Sequence, residues 1–101
     1  MSVRNSSVIK AWRDGEKAVN GRKSLHTDGI RLYSYRLVIG INVNGTYYLG
    51  DYTAGGEFRS MTTSMHIGRA RRAVRSIDVY HPAIFSLLAD DLAKAAEKKE
   101  G

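Results

Sequence analysis

The sequence contains no cysteine, which excludes disulfide bonds, thiolate metal ligands and a cysteine nucleophile. Its 101 residues are nevertheless enough to bury a core without covalent links, since 43% are hydrophobic and 26% are charged. We therefore predict a single α+β domain that spans residues 1–101.

Long apolar runs are also missing. The longest, residues 37–41, has the length of a strand and falls well short of the roughly 18 residues that a membrane-spanning helix needs. The first ten residues lack the basic and apolar segments of a secretory signal. Together with the absence of cysteine, these features predict a soluble protein of a reducing cytosol that has no membrane partner.

Patterns that bind metals or cofactors are scarce. The three histidines, His26, His66 and His81, do not show the H-x-x-x-H spacing of a metal site. The sequence has neither a G-x-G-x-x-G motif nor a Walker motif, and its carboxylates form no recognisable catalytic or metal pattern. It therefore predicts no metal and no cofactor.

Acidic residues are absent from residues 59–75, a segment that contains five arginines. The whole chain has a net charge of +6. Eight basic and five acidic residues precede this segment, and three basic and five acidic residues follow it. Most of the excess positive charge is thus in one short stretch, which favours a negatively charged partner such as nucleic acid or an acidic protein surface.

Alternating apolar and polar residues predict a long strand over residues 31–43. Asn44-Gly45 supplies the two left-handed positions of a type I′ turn, and a second strand follows over residues 46–53. This turn places Ile41 opposite Tyr48. The face predicted to be buried holds Tyr33, Tyr35, Leu37, Ile39, Ile41, Val43, Tyr48 and Tyr52. The other face holds Val38, Tyr47 and Leu49, and it is either covered by another element or available for contact.

The remaining elements are predicted from caps and helical spacing. A helix is expected over residues 6–14, with fraying as far as Val19, and residues 20–29 are rich in turn signals. Gly55-Gly56 predicts a turn into a third short strand, residues 57–60. Further helices are predicted over residues 63–77 and 82–98, and the second of these has an apolar stripe of Ile84, Leu88, Leu92 and Ala95. The fold class is α+β: a small antiparallel sheet, either a hairpin or a three-stranded meander, packed by an N-terminal, a central basic and a C-terminal helix.

Helical spacing divides the 63–77 helix into two faces. Small and aliphatic residues share one side: Thr63, Ile67, Ala70, Val74 and Ile77. Four arginines share the other: Arg69, Arg71, Arg72 and Arg75. Planar guanidinium groups bind phosphate through two parallel hydrogen bonds. If all four contact duplex DNA, the logarithm of the affinity should fall with the logarithm of salt at a slope of roughly −3.6.

Three interpretations of the arginine face stay open: a solvated helix surface, a nucleic-acid interface and an interface for an acidic protein. The nucleic-acid interpretation includes Tyr47, because an aromatic ring on the less buried sheet face can stack on a base. The residues predicted to bind nucleic acid are Arg59, Arg69, Arg71, Arg72, Arg75 and Tyr47.

His66 lies one turn into the same helix, beside its buried face. The structural interpretation is a hydrogen bond to a strand tyrosine. The functional interpretation makes His66 a general base with a nearby serine, threonine or tyrosine. Ser64 is excluded as that partner, because residues i and i+2 diverge on a helix.

Three segments resemble a group of short, uncharacterised proteins encoded by tailed phages and other mobile elements. They are Leu32-Tyr33-Ser34-Tyr35, the apolar strand at residues 37–41, and Thr62-Thr63-Ser64-Met65-His66. Residues 24–29 are similar to the pattern of that group as well, and the resemblance spans roughly residues 8–66 without the C-terminal helix.

The resemblance implies a phage or mobile-element source and action in the cytoplasm of a bacterial host. It also implies a polar cluster that is either a structural network between strand and helix or a binding site. The members of this cluster are Ser34, Tyr35, Thr62, Thr63, Ser64 and His66.

Three functions are therefore carried forward. The first is a small phage accessory protein that binds nucleic acid through its arginine-rich helix. The second is a host-directed inhibitor without catalytic activity that binds an acidic bacterial protein, with Val38, Tyr47 and Leu49 as apolar anchors. The third is an enzyme with His66 as its base, for which the sequence shows no acid–base pair and no metal set.

Overall fold

A six-stranded mixed sheet lies between two layers of helices. The structure is a computed structural model that describes residues 4–52, 61–74 and 77–97, with the backbone alone for residues 61–64. Its elements are α1 (Asn5–Asp14), β1 (Lys17–Val19), β2 (Leu25–Asp28), β3 (Arg31–Ser34), β4 (Leu37–Val43), β5 (Thr46–Gly50), α2 (Met61–Ala73), β6 (Ile77–Tyr80) and α3 (Pro82–Glu97). The predicted α+β class is confirmed. Among the described residues, no helix is both long and apolar enough to cross a membrane.

The strands follow one another across the sheet in sequence order. The first five are antiparallel neighbours, and β6 returns through α2 to pair parallel to β5. The prediction of a hairpin or three-stranded antiparallel sheet was therefore wrong in size and in the direction of one pairing. The predicted third strand at residues 57–60 lies outside the described residues.

The two faces of the sheet are covered by different helices. Gly40 and Leu49 are paired on neighbouring strands, and a Cβ atom on Gly40 would meet the Trp12 ring of α1 at 2.9 Å. Gly50 follows Leu49 and therefore points the other way, where its Cβ would meet Phe85 of α3 at 2.8 Å. The helix α2 packs beside α1. We call α1 and α2 together the α1–α2 layer.

The first helix is fixed to the sheet by polar as well as apolar contacts. Trp12 is fully buried, and its Nε1 donates a hydrogen bond to the Ile30 carbonyl at 3.0 Å. The Asn42 Nδ2 donates to the Trp12 carbonyl at 2.8 Å. The predicted helix over residues 6–14 is confirmed to within one residue. Gly15 ends it in the left-handed conformation, so the helix does not fray towards Val19.

The predicted hairpin is present with the expected register around its turn. Asn44 and Gly45 have φ values of 53° and 94°, and Ile41 pairs with Tyr48. The second strand ends at Gly50 rather than at residue 53. Tyr52, just beyond it, is buried as predicted.

The predicted strand over residues 31–43 is broken by a turn at Tyr35 and Arg36. Tyr35 has a φ of 58°, so the chain reverses there and Ser34 pairs with Leu37. Leu32 and Ser34 are buried, whereas Tyr35 is 52% exposed. The prediction of Tyr35 as a core residue was therefore wrong, because the alternating pattern continued through a hairpin that sequence periodicity does not reveal.

Residues 20–29, predicted as turns, include the strand β2. The Asn20 side chain closes the loop before it, because its Oδ1 accepts hydrogen bonds from the backbone N–H groups of Ser24 and Leu25. Asp28 ends β2 with an Asx turn, in which Oδ1 accepts a hydrogen bond from the Ile30 N–H at 2.9 Å. Short strands between turn residues are thus hidden by the turn signals around them.

The two later helices also differ from their predictions. The described helix α2 ends at Ala73, and Ile77, which was predicted on its buried face, begins β6 instead. The helix α3 begins at Pro82 as predicted but buries a different stripe: Pro82, Phe85, Ala93 and Ala96. Ile84 and Ala95, which were predicted to be buried, are exposed. Leu88 and Leu92 of the predicted stripe are half-buried, so the stripe was placed only partly on the wrong side of α3. Helical spacing groups residues on one side of a helix but does not show which side meets the sheet.

The contact between Gly40 and Trp12 yields a stability prediction. We expect Gly40→Ala to lower the free energy of unfolding by about 1–3 kcal/mol, because the added methyl group overlaps the indole ring. Urea denaturation followed by circular dichroism measures the effect.

Gly68 in α2 provides the matched control, because a Cβ atom there would meet nothing within 4 Å. Gly68→Ala should stabilise the protein by about 0.5–1 kcal/mol through its higher helix propensity. Equal effects at the two positions would contradict the packing of α1 on Gly40.

Candidate nucleic-acid interface

The arginine face of α2 is directed to solvent. Arg69, Arg71 and Arg72 are exposed, while Ile67, Ala70 and Val74 of the same segment are buried. None of the ion pairs formed within the described residues involves these three arginines. Their guanidinium groups are therefore available to an external anion. The side chains of Arg59 and Arg75 lie outside the described residues.

Basic residues of α1 extend this surface. Ser6, Lys10 and Arg13 follow each other at intervals of four and three residues, so they form one stripe along α1. Lys10 is exposed, whereas the half-buried Arg13 pairs with its neighbour Asp14 at 3.1 Å. The spacing of these residues was visible in the predicted helix over residues 6–14. The sequence did not show that α1 lies beside α2, so it did not connect this stripe with the arginines of α2.

Charge is segregated across the sheet. The α1–α2 layer contains Asp14 as its one acidic residue and five basic residues, which are Lys10, Arg13, Arg69, Arg71 and Arg72. On the opposite face, α3 contains Lys94 as its one basic residue and three acidic residues, which are Asp90, Asp91 and Glu97. The domain therefore presents a basic and an acidic surface on opposite sides, which favours one orientation towards a polyanion.

A groove of about 240 Å³ separates α1 from α2 on the basic surface. Its lining residues are Ser6, Ile9, Arg69, Arg72 and Ala73. Arg69 and Arg72 lie about 60° apart around the helix axis, at about 100° per residue, so both reach this side of α2. Arg71 lies about 160° from Arg69, so it lies on the far side of α2, away from the groove.

Tyr47 does not belong to the predicted interface. Its ring contacts Trp12 edge-on at 5.3 Å, and its hydroxyl donates to the Arg13 carbonyl at 2.7 Å. Burial raises the pKa of this hydroxyl. Leu49 on the same face is fully buried beneath the α1–α2 layer. Neither residue is therefore an open stacking platform or an apolar anchor. Of the two alternatives that the sequence left open for this face, coverage by another element is the one observed, and α1 is that element.

The polar cluster is present in part. The Ser34 Oγ and His66 Nδ1 atoms lie 2.9 Å apart, so His66 is bonded to a strand serine and not to the predicted tyrosine. Tyr35 points to solvent and does not join them. Thr62, Thr63 and Ser64 form the first turn of α2, and their side chains lie outside the described residues.

Ser34 and His66 are as close as a nucleophile and its general base, but they are not accessible to a substrate. Their exposures are 1% and 0%, so no substrate reaches either group in this conformation. Burial lowers the pKa of His66, and the positive charge of Arg69 lowers it further. The imidazole is therefore neutral at pH 7. Its Nε2 has no hydrogen-bond partner in the part of the chain that the structure describes.

The described residues hold no group of three histidine, cysteine, aspartate or glutamate side chains suited to a metal ion. The exposed groups of α1 and α2 include guanidinium, ammonium and hydroxyl groups, which bind oxyanions.

The lowered pKa of His66 yields a prediction of pH dependence. The unfolded chain protonates this residue near its ordinary pKa of 6.5, whereas the folded chain does so only at lower pH. Stability should therefore be fully present above pH 6.5 and decline as pH falls below it, by at most about 1.4 kcal/mol per pH unit. His66→Asn keeps a polar atom near the Nδ1 position and should flatten this decline.

Chemical denaturation at pH values from 7.5 to 5 measures the effect, with His81→Asn at an exposed site as the control. The acid-dependent loss should persist in the control variant. An equally steep loss in His66→Asn would show that other groups cause it.

Comparison of the chain with protein-family models, with curated proteins and with solved structures gave no match.

Proposed function

We propose that this protein is a small phage-encoded accessory protein that binds nucleic acid through the outer surface of the α1–α2 layer. The observation that carries the proposal is the set of three exposed arginines, Arg69, Arg71 and Arg72, on a helix without acidic residues. Guanidinium groups that have no carboxylate partner among the described residues are suited to bidentate contacts with phosphate.

The surrounding charges favour the same partner. Lys10 on α1 adds a fourth exposed cation on the same side of the sheet. The acidic residues of α3 lie on the opposite face and would be repelled by the phosphates. The domain should therefore approach nucleic acid with α1 and α2 first.

The expected mode of binding is contact with the phosphate backbone. Such contacts give affinity and position but do not read sequence. The predicted stacking residue Tyr47 is engaged by Trp12 and Arg13, so the proposal includes no base readout. Binding should consequently depend strongly on salt and weakly on sequence.

Substitutions on the two sides of the sheet test this proposal. Arg72→Gln should weaken binding to a labelled DNA duplex and lower the steepness of the salt dependence by about 0.9, the share of one phosphate contact. Lys94→Gln removes the same charge from α3 and should leave both quantities unchanged. Fluorescence anisotropy between 50 and 200 mM salt measures both, and the same titration with RNA identifies the preferred nucleic acid.

Equal losses in the two variants would reduce the effect to net charge and reject the proposed surface. Absence of binding to DNA and RNA at 50 mM salt would reject nucleic acid as the partner.

A second candidate is a host-directed protein-binding inhibitor. The observation that favours it is on α3, where Leu87 is 78% exposed and Ile84, one turn earlier, is 51% exposed. These residues replace the predicted anchors Val38, Tyr47 and Leu49, of which Leu49 is buried and the other two are half-buried.

Capture from a nuclease-treated bacterial lysate separates the two candidates. If a host protein is the partner, a retained protein should be lost with Leu87→Ser and kept with Arg72→Gln. If nucleic acid is the partner, nuclease treatment or Arg72→Gln should each abolish capture, and Leu87→Ser should not affect it.

A further inference from the structure

We infer that the groove between α1 and α2 is a binding site for a single phosphate group, which Arg69 and Arg72 hold together with Ser6. This inference rests on the proposed function and deepens it, because it makes α1 part of the binding site and assigns unequal roles to the arginines of α2. The ligand class is a phosphate ester, either of a nucleic-acid backbone or of a small phosphorylated molecule.

The arrangement of the lining residues supports this inference. Arg69 and Arg72 lie one turn apart on α2 and both line the groove, and Ser6 contributes a hydroxyl from α1. The groove is thus lined by two residues with guanidinium groups and one with a hydroxyl group, which donate N–H and O–H hydrogen bonds. An oxyanion placed between them would satisfy these donors and relieve the repulsion between the two positive charges.

Two apolar residues line the groove beside the arginines. Ile9 is buried and Ala73 is half-buried, so the base consists of hydrocarbon. Aliphatic stems of arginine pack on such surfaces while the charged heads remain at the rim.

The groove is free of competing carboxylates among its lining residues. The only acidic residue of α1 is Asp14, about 12 Å along the helix from Ser6 at a rise of about 1.5 Å per residue, and it is paired with Arg13. The volume of about 240 Å³ is several times the roughly 30 Å³ of one water molecule, so a phosphate group fits together with part of its hydration shell.

Arg71 has a different role. It lies on the far side of α2 and does not line the groove, so it would contact a polyanion only across the open helix surface. Arg71 therefore provides a matched control, since it has the same side chain, helix and exposure.

Titration with inorganic phosphate at constant ionic strength tests the phosphate-binding site. The ¹H–¹⁵N NMR signals of Ser6, Ile9 and Ala73 should move in a saturable manner. The double variant Arg69→Ala/Arg72→Ala should raise the dissociation constant for phosphate at least about tenfold, as expected for the loss of charge-assisted hydrogen bonds. Arg71→Ala should change it by less than about twofold. Unchanged signals of Trp12 would show that each variant is folded.

A parallel titration with a DNA duplex identifies the source of the phosphate. If the groove binds the phosphate backbone of nucleic acid, the double variant Arg69→Ala/Arg72→Ala should lose more duplex affinity than Arg71→Ala combined with Lys10→Ala, which removes the same number of charges. Saturable phosphate binding without any duplex or RNA binding would support the phosphate-binding site and assign it to a small phosphorylated ligand. The same result would overturn the nucleic-acid proposal. If the two double variants lose equal duplex affinity and phosphate gives no saturable response, the phosphate-binding site is overturned and the nucleic-acid proposal is left intact.

Discussion

The position of Trp12 over Gly40 is the contact on which the rest of the molecule depends. The indole ring occupies the space that any side chain at residue 40 would need, and its Nε1 donates a hydrogen bond to the Ile30 carbonyl. Asn42 binds the backbone of the same residue from the sheet. These contacts set the distance and direction of α1 over the antiparallel strands. Because α2 packs against α1, they also determine which side of the arginine helix meets solvent and where its groove opens.

The sheet also separates charges. Helices on the two faces of one sheet can carry opposite charge because the strands and their buried side chains keep them apart. In this protein the layer of α1 and α2 is basic and α3 is acidic. Arg31 on β3 and Glu97 at the end of α3 form an ion pair at 3.0 Å, so part of the acidic side is neutralised within the domain. The positive charge of α2 has no such partner among the described residues, and it defines the direction of binding in the proposed function.

His66 links the arginine helix α2 to the sheet, and it lies one turn before an exposed arginine. It bonds to Ser34 within the core, where burial lowers the pKa of the imidazole, and the exposed Arg69 one turn later lowers this pKa further. A neutral, buried histidine fits a structural role of the polar cluster that the phage-protein resemblance implied, since it ties strand β3 to helix α2. The serine and the histidine of this contact are both buried, which fits the structural interpretation of the pair.

Local signals in the sequence determined the α1 helix, the Asn44-Gly45 hairpin with its register and the start of α3 at Pro82. They also determined which aliphatic residues of α2 are buried and that its described arginines are exposed. Each of these depends on residues close together in the chain, through capping, turn geometry or helical spacing. Tertiary structure alone decided that Ile77 begins a strand, that Tyr35 leaves the core and that α1 covers Tyr47 and Leu49. It also decided that the buried side of α3 consists of Pro82, Phe85, Ala93 and Ala96. In these cases periodicity fits more than one arrangement, and the choice depends on which distant element covers each face. For the same reason the groove between Ser6 and the arginines of α2 was not visible in the sequence, because its two walls come from helices that are about sixty residues apart.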